Sequence, residues 1–174
     1  MGALAARLAA FSVLAGVFCG SASATDKDKL SDLQARFDKE PSAVHKARMI
    51  EKLGDAEFDE AGRAQQANDF STLGLLMEKY RDNVRAAADA LKKEQPDGER
   101  HPNGYKQLEM HVQKGLRQIQ EFLLEVPAPY KPPLQIVQRD LLALDDELLR
   151  SLFPRHPKST PPKPNPSPDP EKKP

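Results

Sequence analysis

A chain of 174 residues and 19.3 kDa fits one ordinary domain with extra sequence at both ends. Its 26 Lys and Arg balance 26 Asp and Glu, for a formal charge of +0 and a pI near 6.9, which excludes the basic footprint of a protein that coats nucleic acid. Aromatics make up 6%, Trp is absent, and the interior segments favour Ala, Leu, Glu, Lys, Gln and Arg over β-branched residues, which points to an all-α protein.

Residues 1–24 have the three-part order of a secretory signal: Arg7, then an apolar run from Leu8 to Phe18, then Ala22-Ser23-Ala24 as a small-residue cleavage site. The run is too short to span a bilayer, so stable membrane insertion is not expected after cleavage before Thr25. Phe18 stands before Cys19 where a lipid-attachment motif wants a small residue. The mature chain then has 150 residues and no cysteine, which excludes both a disulfide framework and a thiol nucleophile.

From residue 25 to 153 the apolar spacing is helical. Leu30, Leu33 and Phe37 mark a first short helix that stops before Pro41. Ser42 is placed to cap a second helix with Val44, Ala47, Ile50, Leu53, Ala61 and Ala64 on one side, and Gly54 as the site of a kink. Beyond Asn68-Asp69 a third helix starts at Ser71 and carries Leu73, Leu76, Met77, Tyr80, Val84, Ala87, Ala88 and Leu91. Gln95 to Gly104, with Asp97-Gly98, Asn103-Gly104 and two prolines, reads as a loop. A fourth helix follows with Leu108, Val112, Leu116, Ile119, Phe122 and Leu123, and Pro127 to Pro133 interrupts the pattern. A fifth helix carries Leu134, Val137, Leu141, Leu144, Leu148 and Leu152. Short connections predict one antiparallel bundle of about five amphipathic helices, with a homodimer open if one stripe stays uncovered. Leu76 and Leu116 are expected at the bottom of their stripes.

Nine prolines in the 21 residues from Pro154 to Pro174 predict a disordered, extended tail that joins no core. Its five Lys and Arg against two Asp and Glu give it +3, leaving −4 on residues 25–153.

Chemistry-bearing motifs are sparse. His45, His101, His111 and His156 lack the spacing of a metal site. Asp55, Glu57 and Asp59 alternate as in a calcium loop, but Glu60 stands where Gly must turn the chain and Gln66 where a bidentate Glu should close the shell. That stretch is therefore expected to be a solvated helix face. No nucleophile elbow or phosphate loop occurs, so neither catalytic residues nor a cofactor is expected. An enzyme would need a pocket gathering two or more of Glu109, His111, Asp145 and Asp146, which belong to different helices.

Two segments are similar to known families. Ala61, Ala64 and Asn68-Asp69-Phe70 followed by an amphipathic helix resembles one hairpin of the tetratricopeptide repeat family, which would imply a protein-binding scaffold. Leu73 departs from the small residue of that family, and no second copy follows at the repeat period. Leu116-Arg-Gln-Ile-Gln120 and Leu134-Gln-Ile-Val-Gln138 are similar to the paired motifs of small helical periplasmic chaperones and stress sensors, without their Thr after the Leu. The expected function is a secreted or periplasmic, non-enzymatic bundle that binds a protein or envelope component. A chaperone-like or stress-adaptor role is the alternative. Tyr80 and Tyr105, on the third and fourth helices, are the candidate partner anchors, with a place in the core as the favoured alternative for both.

Overall fold

The computed structural model describes residues 22–154, and they are all-helical. The helices are α1 (Ala22–Lys39), α2 (Ala43–Gln66), α3 (Phe70–Glu94), α4 (Pro102–Glu125) and α5 (Lys131–Leu152), with a 3-10 turn at Ala128–Tyr130. Residues 1–21 of the expected signal and residues 155–174 of the expected tail lie outside the described residues. No helix among the described residues is long and apolar enough to cross a membrane.

Local chemistry sets the helix ends. The Ser42 hydroxyl accepts from the His45 amide at the start of α2, while Glu94 of α3 accepts from the Ala43 amide at 2.8 Å. At the far end Asn68 takes φ 59°, a left-handed conformation that Asn tolerates better than most residues. The Asn68 and Asp69 amides then donate to Gln65 and Ala64 carbonyls, closing α2 in a Schellman turn. Asp69 caps α3 by accepting from the Thr72 amide at 3.0 Å. Asn103-Gly104 is not part of the preceding loop as its composition suggested. Pro102, whose missing N–H costs nothing there, opens α4 and takes both residues into its first turn.

Four helices close the core, and α1 packs on the outside of α2. Consecutive helices run antiparallel, but the side-by-side partners do not all do so. Arg48 meets Gln107, Asp55 meets Lys114 and Gln65 meets Glu125, so α2 and α4 run in the same direction. Arg81 to Asp140 and Lys92 to Glu147 give the same parallel order for α3 and α5. The bundle is thus two antiparallel hairpins laid side by side, and residues 95–101 cross from one to the other at a single end.

The stripes turn inward much as their spacing predicts. Ile50, Leu53, Leu73, Met77, Leu91, Leu108, Ile119, Leu134 and Leu141 are fully enclosed. Leu76 and Leu116 are only half-buried, flanking the core rather than forming its floor. Met77, Leu108 and Ile119 hold those deeper positions. Gly54 produces no break in α2. It leaves space for two rings instead, because a Cβ there would strike His111 and Tyr80.

Candidate functional site

Tyr80 is the pillar around which the polar interior is arranged. Its ring packs edge-on to Phe58 at 4.7 Å and to His111 at 5.6 Å. Gly54 and Gly115 provide the slot, since a Cβ at either would collide with the ring. The hydroxyl donates to the His111 carbonyl at 3.2 Å, and burial raises its pKa far above the ordinary phenol value. Tyr105 is also fully buried, with its hydroxyl donating to the Gln95 carbonyl at 2.9 Å. Neither tyrosine can serve as a surface anchor in this fold. Each stripe has drawn its ring inward, and a main-chain oxygen satisfies the hydroxyl, fully buried for Tyr80 and partly buried for Tyr105.

Between α2 and α4 lies a cleft of about 190 Å³. Ala47 and His111 line it together with Arg48, Glu51, Gln107, Met110 and Lys114. His111 is 6% exposed, and its Nε2 is buried against Gly54 without a hydrogen-bond partner. Burial lowers the imidazole pKa; Asp55 opposes that shift, Lys114 adds to it and Glu51 opposes it. The ring is therefore kept neutral on the floor of a charged rim. Met110, 68% exposed, stands at the cleft and gives it an apolar edge.

A second polar group lies on the other flank of α2. Glu57 is fully enclosed, although it falls in the acidic stretch expected to face solvent. Its Oε1 accepts from Asn83 Nδ2 at 2.8 Å, and Oε2 has no partner. Burial pushes the carboxyl up to about 8, against the opposing pull of Lys79 and of the Asn83 hydrogen bond. Asn83 in turn exchanges two hydrogen bonds with Gln34 of α1, at 3.0 and 2.9 Å.

The four residues that would have marked an enzyme do not share a pocket. His111 lines the α2/α4 cleft, whereas Asp145 is buried between α4 and α5 and accepts from Gln113 at 2.7 Å. Glu109, raised by burial and by the Asp145 charge, is half-buried. Asp146 is exposed and faces Arg150. Among the described residues no group of three or more His, Cys, Asp or Glu is arranged to hold a metal ion.

Sequence reasoning placed Glu57 on a solvated face and passed over Asn83, yet a signal for the burial of Glu57 was present. Glu57 follows Ile50 by seven residues and Leu53 by four, an inward position whatever its polarity. No family model matches the chain, and no curated protein or solved structure matches it.

Proposed function

We propose that this chain is an exported, non-enzymatic helical bundle that binds another protein or an envelope component through its α2/α4 face. The observation that carries the reading is Met110, a large apolar side chain 68% exposed beside a cleft rimmed by Arg48, Glu51 and Lys114. An apolar contact inside a charged rim is the usual anatomy of a protein-binding patch. The rim carries both signs, which suits a segment with an apolar side chain between charged neighbours better than a uniformly charged surface. The other exposed large apolar side chains, Leu75, Leu124, Tyr130, Ile136, Leu142 and Phe153, are spread over three helices and the turns that flank α5, which favours one local contact over a broad client-shielding face. Export rests on the order of residues 1–24, and the basic, Pro-rich segment from Pro154 onward is a second candidate contact for an envelope component.

The test is capture from an envelope extract with the mature chain, its Met110→Glu variant and a form lacking residues 154–174. A partner retained by the wild type and by the truncated form, and lost with Met110→Glu at unchanged thermal stability, is the expected result. Equal retention by all three forms, or no partner above background, would sink the reading.

A further inference from the structure

We infer that α1 is a strap whose docking is governed by the charge on Glu57: it lies over the neutral carboxyl and lifts when the carboxyl ionises. The argument is independent of the α2/α4 face and begins with a hydrogen-bond chain. Gln34 donates to Asp38 at 2.8 Å and to Asn83 at 3.0 Å, and Asn83 donates to Gln34 at 2.9 Å and to Glu57 at 2.8 Å. Both amide protons of Asn83 are thereby used. None remains for Glu57 Oε2, which is buried without a partner.

A neutral carboxyl tolerates that enclosure at modest cost. An anion held by a single hydrogen bond does not, and it is stabilised only when water or a cation reaches the second oxygen. The charged and titratable groups that act on it are Lys79 and Tyr80 on α3, while Asp38 of α1 is linked to it only through Gln34 and Asn83, and Asp55 of α2 acts on the Tyr80 ring beside it. Lys79 is the one that favours the anion. It stands one turn before Asn83, across a cleft of about 380 Å³ whose other wall is α1, with Leu30, Gln34 and Asp38. Breaking the Gln34–Asn83 link opens a path from this cleft to Glu57.

α1 is the element best suited to yield. Phe37 is its one fully buried apolar side chain among the described residues, while Leu30 and Leu33 are half-buried. Its tertiary packing is onto α2 alone, supplemented by the polar link to α3. Since burial raises the carboxyl to about 8, the strap is held most firmly in mild acid and loosens progressively as pH rises toward 8.

The experiment is hydrogen exchange of the mature chain between pH 6 and 9, corrected for the intrinsic pH dependence of amide exchange. Protection of residues 28–39 is compared with that of α5. In the wild type, α1 protection is expected to fall by up to about tenfold per pH unit between pH 6 and 8 relative to α5 and to level off above about 8, where the docked carboxyl is itself ionised. In Glu57→Gln the ratio stays constant. Lys79→Ala, a change at an exposed side chain, moves the midpoint to higher pH because it removes the charge that favours the anion. α1 protection that tracks α5 at every pH overturns the proposal, as does a fall that persists in Glu57→Gln. Should Glu57→Gln fail to fold, Lys79→Ala decides alone, and an unmoved midpoint overturns it.

Discussion

The two flanks of α2 bury titratable groups with opposite consequences. On one side His111 is a base whose charged form is disfavoured; on the other Glu57 is an acid whose charged form is disfavoured. Both are kept neutral by the same cause, removal from water, yet they respond to pH in opposite directions. The flanks also differ in what covers them. His111 lies under a cleft between two helices of the closed core, whereas Glu57 lies under a helix added to the outside. A rigid cover turns burial into a fixed property, and a loosely held cover turns it into a variable one.

The largest effect is expected where the flanks share a part. Tyr80→Ala empties the slot between Gly54 and Gly115 and should cost about 3 to 5 kcal/mol in urea unfolding, the range for deleting a buried aromatic ring. Gly54→Ala strikes only the His111 flank directly, through His111 and the Tyr80 ring, and should cost about 1 to 3 kcal/mol. If the flanks are independent, α1 protection survives this change; parallel loss in both would merge them into one unit.

Stability against pH separates the two groups by sign. The carboxyl of Glu57 is raised in the folded state, so its contribution is fully present below about 4.5 and is lost as pH rises toward about 8, at up to about 1.4 kcal/mol per pH unit. The imidazole of His111 is lowered in the folded state, so its contribution is present above 6.5 and is lost as pH falls below that. Between pH 6.5 and 8 the wild type should therefore lose stability as pH rises, and Glu57→Gln should be level there. Denaturant midpoints collected across that window check both statements. The smallest effect is at the rim: Lys114→Ala removes an ion pair with Asp55 that is nearly half exposed, costing about 0 to 1 kcal/mol. It should also raise the His111 titration midpoint, read from the imidazole NMR signals.

The helical class, the capping by Ser42 and the break at Asn68-Asp69 were legible because each rests on neighbours a few residues apart. Asn103-Gly104 misled for the same reason. As a dipeptide it signals a turn, and only Pro102 at the first helical position and Leu91 packed against Gly104 show that it begins α4. Gly54 reads as the site of a kink because the ring it admits, like the one Gly115 admits, comes from α3 and is invisible in the local sequence. Glu57 and Asp145 sit in frame with their apolar stripes, but polarity alone assigns such residues to solvent, whereas His111 reads from its spacing as the edge of an apolar face and is buried there. Leu76 and Leu116 fell short of full burial because a stripe wider than the groove it meets leaves some of its members at the margin.

The crossing at residues 95–101 governs the order of assembly. Each hairpin carries its own turn, Ala67 to Asp69 in one and Val126 to Tyr130 in the other, so α2 with α3 and α4 with α5 are brought together by short-range closure. Only the docking of one pair on the other requires contacts distant in sequence, and that is the slow step in chains of this kind. Doubling the crossing with Gly and Ser should cost only about 0.6 kcal/mol in closure entropy. It would act on the rate at which the halves meet, leaving each half as quick to form as before.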